Sequence, residues 1–457
     1  MILRTLAALL LAAAAGCNTL PVIVPDMAAH APAPVQLDGA RGPLSAAQSK
    51  AILARLKSRG EETSIFDRHL ALEEGVAGTA LMVGNKVTLL QDGPATYQAM
   101  FDAIAGAKDS INMESYIFED DEIGRKFADA LMAKRSQGVH VALIYDSVGS
   151  NGTPREFFKR LTDNGVEVLE FNPINPLALK KGWQVNARDH RKLLVVDGRT
   201  AFMGGVNISS VYSSGSFNPG SKRHADGTPT WRDTHLRVEG PVVAEFQRLF
   251  LETWQKQNGA TLEARDSLPV IANQGKEVVR AIGSSPDEPY SLIYATLISA
   301  ISCAETSVQL TNAYFVPDPQ LLAALKAAAK RGVEVTLILP GVTDSWMVLN
   351  AGRSHYEDLL EAGVKIYERR GAMLHAKTAV IDGVWSTIGS SNLDWRSFLH
   401  NQEINAVVLG QEFGAQMQAM FDADLAASES ITREAWARRP LGDHVKETAA
   451  RMWARWL

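Results

Sequence analysis

Apolar residues fall along this chain in two alternating patterns: short unbroken runs of buried-strand type, and longer stretches with the period of an amphipathic helix. The run INMESYIF after Ser110 reads as a strand, and the spacing beyond it predicts a helix through Ala133. The run VQLTNAYF after Ser307 is likewise a strand, followed by a predicted helix through Ala329. Each helix leads into a Gly-Val turn and further strands: VHVALIYD from Val139 and VEVLEF from Val166 in the first half, VEVTLILP from Val333 and VKIYER from Val364 in the second. The segment order of the first half therefore returns in the second, and the chain is a duplication. Strands alternating with helices predict α/β halves, each with its own sheet buried under helices on both faces. The halves are placed at residues 76–265 and 266–457.

Upstream, the periodicity fades. Residues 18 to about 45 hold PVIVP, APAPV and GARGP, which suits a tether. Within 18–75 two short helices are predicted, Ser45 to Leu56 and Ser64 to Leu72, and Val87 to Leu90 opens the first strand. A length of 457 residues exceeds what one hydrophobic core sustains, which agrees with two halves. The net charge of −5 gives a field that repels a nucleic-acid backbone, so nucleic acid is not expected as a partner.

The first residues carry one Arg and an apolar run from Leu6 to Ala15, too short to span a bilayer and typical of an export signal. The run ends Ala14-Ala15-Gly16-Cys17, which resembles a bacterial lipobox, with Ala14 where Leu is commoner. That resemblance implies cleavage after residue 16 and lipidation of Cys17. Asn18 in place of Asp resembles the class sent to the outer membrane, facing the periplasm. A plain signal peptide that leaves Cys17 an ordinary residue is the alternative. Cys303 is the only other cysteine, so neither a disulfide framework nor a cysteine metal site is expected. Beyond the leader no run of about 18 apolar residues occurs, and the mature chain is read as anchored to the membrane, not embedded in it.

One short constellation occurs twice. His190, Lys192, Asp197, Gly198 and Asn207 have counterparts in His375, Lys377, Asp382, Gly383 and Asn392, at identical spacing. Residues two apart in a strand share a face, so each His and its Lys are expected to address one ligand. The Asp-Gly pairs supply turns, and the small residues after the next strand allow close backbone approach. Lys192, Lys377, Asn207 and Asn392 together suit a phosphate, flanked by two imidazoles that can act as nucleophile and as acid or base. No metal or other cofactor is called for, because the lysines carry the electrostatic role. Asp197 and Asp382 are read as structural, satisfying backbone groups around the turn. His224, His235 and His355 show no metal-ligand spacing and are read as surface or hydrogen-bonded groups.

These residues match the HxKx4D signature, and over roughly residues 80 to 425 the chain resembles the phospholipase D superfamily. The resemblance implies two similar α/β/α sandwich halves about a pseudo-twofold axis, with the active site between them and one chain sufficient for activity. It implies a phosphohistidine on the first motif, making His190 the nucleophile and His375 the general acid and base. It also implies an acidic residue after each motif that orients that motif's histidine, for which Asp233 and Glu403 are the candidates.

Within the superfamily, RDHRKLLVVDGRTAFMGGVNIS, WRDTHLRVEGPVV and SSNLDWRSFLHNQEINAVV resemble bacterial cardiolipin synthases. That implies transfer of a phosphatidyl group to the alcohol of a second phospholipid, with phosphatidylglycerol or phosphatidylethanolamine as substrate. The better-known members begin with transmembrane helices, and this chain departs from them in its lipobox-like leader. A phospholipase D-type hydrolase acting on lipid, or less readily on nucleic acid, is the alternative. The first half carries extra residues in FNPINPLALKKGWQVNARD, a candidate substrate-facing loop, and Ser213 to Trp231 is a candidate lid. The basic, aromatic tail from Thr432 forms a helix that either lies in an anionic lipid interface or packs on the body.

Overall fold

The computed structural model describes residues 34–57, 63–74, 78–173, 186–215, 229–260, 262 and 268–456. The leader with Cys17, most of the first-half insertion and most of the candidate lid lie outside these residues, as does His224.

In the first half the strands run side by side as Glu167–Phe171, His140–Asp146, Ser110–Ser115, Lys192–Val196, Thr200–Gly204, Thr234–Glu239 and Leu81–Gln91. The second half repeats that order with Lys365–Arg369, Glu334–Pro340, Ser307–Asn312, Lys377–Ile381, Trp385–Gly389, Asn401–Leu409 and Glu277–Ser284. In each, the first three strands are parallel and the rest antiparallel. Helices cover the parallel strands on both faces, so every residue of Ser110–Ser115 and His140–Asp146 is buried, the polar ones included.

The two sheets are not separate, as the repeat alone had implied. Leu81–Gln91 is long enough to pair twice, its later residues with Thr234–Glu239 and its earlier ones, antiparallel, with Glu277–Ser284. One ladder thus crosses from half to half, and the halves share a core as well. Phe246 and Phe250 of the helix Val243–Lys256 pack in one cluster with Phe413 and Met417 of Gln411–Ala426. Fully burying such side chains contributes about 1.5–3 kcal/mol each, so the halves stabilise one another.

The expected tether reaches into the fold. Leu37–Gly39 forms a strand parallel to Leu81 and Met82, with Leu37 fully buried, although its surroundings of Pro and Gly gave no strand period. The helix Ala46–Lys57 follows, then a wide turn Ile65–His69 running into the helix Leu70–Glu74. Ile65, Phe66 and Leu70 pack into the core of the second half, not the first.

Both Asp-Gly turns take positive φ at each residue, 52° and 60° at Asp197 and Gly198, 50° and 63° at Asp382 and Gly383. This left-handed geometry closes the hairpins that begin at Lys192 and Lys377. Their other ends, with both histidines, lie beside the C-terminal ends of the parallel strands, where Lys192 pairs with Ser115 and Lys377 with Asn312. That edge is where open α/β sheets usually hold ligands.

Candidate active site

Each histidine is delivered by a short strand laid on the opposite half. Arg188 and Asp189 pair in parallel with Asn401 and Gln402, and Trp231 and Arg232 with Met373 and Leu374. The amide of His190 donates to Gln402 O at 3.0 Å, and that of His375 to Arg232 O at 2.8 Å. The next residue along each partner strand is a carboxylate: Glu403 faces His190, and Asp233 faces His375.

The orienting acids are therefore exchanged between halves. Nδ1 of His190 lies 3.1 and 3.0 Å from the two Glu403 oxygens, and Nδ1 of His375 lies 2.7 Å from Asp233 Oδ2. Both carboxylates are fully buried. Burial pushes their pKa values up, but the facing histidines and the nearby lysines outweigh it, and both end below their ordinary values. An ionised carboxylate only accepts, so Nδ1 of each imidazole carries a hydrogen and Nε2 is left to the site, a nucleophile or base when bare and an acid when protonated. Burial lowers the pKa of His190 to about 4 against the opposing charge of Glu403, and burial with the Lys377 charge lowers that of His375.

Lys192 and Lys377 are buried and turned back on their own motifs. Lys192 Nζ donates to His190 O at 2.6 Å, and Lys377 Nζ to His375 O. Burial, opposed by nearby carboxylates, lowers them to about 7 and about 8. Two buried ammonium groups beside two imidazoles place positive charge and N–H donors where an anion would bind, with the two carboxylates set behind the imidazoles. Lys192 also sits 5.0 Å from the centre of the Tyr116 ring, which stands edge-on to His190.

The remaining predicted residues divide. Asn207 is buried with its amide directed inward: Nδ2 donates to Tyr212 Oη at 3.1 Å, and Oδ1 accepts from Ile117 N. Asn392 is equally buried, and its Oδ1 has no hydrogen-bond partner among the described residues. Asp197 accepts from the amides of Lys108, Asp109 and Ser110, and Asp382 from those of Glu305, Thr306 and Ser307. Each thus ties down the entry to a neighbouring parallel strand, not the groups of its own turn. The small residue Gly205 was expected to admit a ligand but instead admits Asp233, since an added Cβ would lie 2.1 Å from Asp233 Oδ1. His235 and His355 are not surface groups: both are buried, and among the described residues neither ring nitrogen of His235 nor Nδ1 of His355 has a hydrogen-bond partner.

Four contributors escaped the sequence reading. Tyr212 is buried with its hydroxyl 3.3 Å from His375 Nδ1, linking Asn207 of the first half to the histidine of the second. Ser390 Oγ donates to Glu403 Oε2 at 2.5 Å, and Asn401 Nδ2 to Oε1 at 3.2 Å, so the two carboxylates have different settings. Arg191, between His190 and Lys192, donates to Thr253 Oγ1 within its own half and to Glu403 O and Ser284 O across the boundary between halves. A charged residue inside a buried motif was a visible signal for Arg191. Nothing in the sequence marked Tyr212.

A family model described as "Cardiolipin synthase, PLD-like domain" matches residues 100–218 and 297–425, once in each half. The cardiolipin synthase of Geobacillus thermodenitrificans is 36% identical over 84% of this chain and 74% of its own length. The major cardiolipin synthase of Bacillus subtilis is 34% identical over 80% of this chain and 74% of its own. Among solved structures, phosphatidylserine synthase from Haemophilus influenzae superposes with a TM-score of 0.59 at 14% identity, covering 81% of this chain and 93% of that one, which shows a shared fold. With two motif-bearing halves, one site between them and relatives that match along most of their length, this chain belongs to the cardiolipin synthase family of phospholipase D-like proteins.

Proposed function

We propose that this protein is a phosphatidyltransferase of cardiolipin synthase type, in which His190 carries the phosphatidyl group and His375 manages the protons. The observation that carries this reading is the pair of buried imidazoles, each held through Nδ1 by an ionised carboxylate. Nε2 of His190 attacks the phosphorus of phosphatidylglycerol, the bond to the head-group glycerol breaks, and His375 gives the departing oxygen its proton. A hydroxyl of a second phosphatidylglycerol then yields its proton to His375 and attacks phosphorus, breaking the P–N bond. One diester replaces another, so no nucleotide is consumed. The reading fits phosphatidylethanolamine as a lipid substrate equally well.

Lys192 and Lys377 exchange their carbonyl contacts for phosphoryl oxygens and stabilise the charge of the transition state. Asn392 adds an amide to that cradle, whereas Asn207 serves His375 through Tyr212. The halves 76–265 and 266–457 form one catalytic unit, so a single chain is active. A lipid on Cys17 would hold that unit at the periplasmic face of the outer membrane. The test is to incubate the purified protein with phosphatidylglycerol vesicles and a chelator and resolve the lipid products by mass spectrometry, alongside His190→Ala and His375→Ala. Cardiolipin with glycerol, absent from both variants, is the expected result. Phosphatidic acid alone would replace the transferase with a hydrolase.

A further inference from the structure

Away from the two histidines, the second half carries an open groove of about 500 Å³ between the helix Pro319–Lys330, His355 and the C-terminal helix Leu441–Met452. Pro317, Pro319 and Leu322 give it an apolar floor, while Lys326, Lys330 and Arg451 line it with positive charge and no carboxylate joins them. None of these three cations has an ion-pair partner among the described residues. His355 is buried there, and its Nδ1 has no hydrogen-bond partner among the described residues. A local basic groove on a chain of net charge −5 is set against the background of the whole molecule.

The helix bearing Arg451 has a second unusual feature. Leu441 is 84% exposed, Val445 69% and Met452 74%, all on one face, with Trp453 just beyond at 55%. Glu447 and Ala450, on the opposite face, are the buried positions. Apolar side chains in solvent beside unpaired cations are the pattern of a surface that meets anionic lipid, the cations taking phosphates and the apolar groups entering the interface. The groove also begins at Pro317, a short step along the chain from Tyr314, whose ring stands edge-on to His375 at 6.4 Å.

We propose that this face docks onto a bilayer containing anionic phospholipid, with Lys326, Lys330 and Arg451 receiving lipid phosphates and Leu441, Val445, Met452 and Trp453 entering the interface. Docking of this kind is independent of lipidation at Cys17 and of the reaction assigned to the histidines.

The experiment uses the full chain with Cys17→Ser and Val445→Cys, labelled at the new thiol with an environment-sensitive fluorophore; Cys303 is buried. A second sample carries the label through Asp102→Cys, an exposed site on the first half. Vesicles are phosphatidylcholine alone or with phosphatidylserine. The expected result is a blue shift at position 445 on the anionic vesicles, with at least several-fold weaker partition to the neutral ones and no shift at 102. Adding Lys326→Glu and Lys330→Glu should abolish the preference while leaving turnover of detergent-dispersed phosphatidylglycerol unchanged. A label at 445 that stays in water on anionic vesicles overturns the proposal. So does a shift that is equal on both vesicles and indifferent to the lysine replacements.

Discussion

At His190 the neighbour that sets the chemistry is a carboxylate from the other half, and its job is tautomer and orientation. Glu403→Gln keeps the shape but removes the charge that holds Nδ1–H, so kcat should fall by roughly 10²–10⁴ with little change in KM, read from steady-state kinetics on phosphatidylglycerol. The two lysines give a pH prediction. Their ammonium forms bind phosphate, and in the empty site they lose protons near pH 7 and 8. The ratio kcat/KM should therefore fall as pH rises, first as His375, which must enter protonated, passes its lowered pKa and then as the lysines discharge, while the acid limb, set by His190, lies near pH 4. Stability moves the other way: the unfolded chain binds more protons at Lys192 between about 7 and 10.5, so the folded state gains as pH rises across that window. Lys192→Met should accordingly raise the unfolding free energy, read by chemical denaturation, by about 1–2 kcal/mol, while removing transfer activity. The motif residues were legible because their spacing occurs twice. The exchange of Asp233 and Glu403 was not, since each acid follows its own motif in sequence and only the cross-half strands bring it to the other histidine. Tyr212 lay hidden for the same reason.

At the scale of elements, the fully buried parallel strands and their hairpins were readable from apolar runs and Asp-Gly turns. Leu37–Gly39 was not, because a strand of three residues among Pro and Gly carries no period and owes its place to Leu81 and Met82 beside it. The Asp of each motif belongs to this scale too. Asp197 holds three amides at the entry to Ser110–Ser115, and Asp197→Ala should cost about 1–3 kcal/mol in chemical denaturation, with the folded fraction keeping its turnover rate. A loss of turnover without a loss of stability would instead give the carboxylate a chemical role.

The whole molecule is a duplication that diverged where its halves meet. Both motifs stayed complete, yet Ser390 and Asn401 bind the carboxylate at His190, whereas Tyr212 stands beside His375. Such asymmetry suits a division of labour in which one imidazole bonds to phosphorus and the other handles protons. The continuous ladder through Leu81–Gln91 and the shared core keep the two histidines in one rigid frame. The sequence pattern implied two sheets, and it could not reveal their union, since pairing between Leu81–Gln91 and Glu277–Ser284 is decided by tertiary packing.

The division of labour is tested most directly with a phosphatidyl ester whose nitrophenolate leaving group departs without a proton, so that no general acid is needed in the first step. With His375→Ala the expected result is a burst of nitrophenolate equal to the enzyme present and a phosphatidyl adduct on His190, located by peptide mass spectrometry, and with His190→Ala neither. An adduct on His375 in the His190→Ala chain would contradict it.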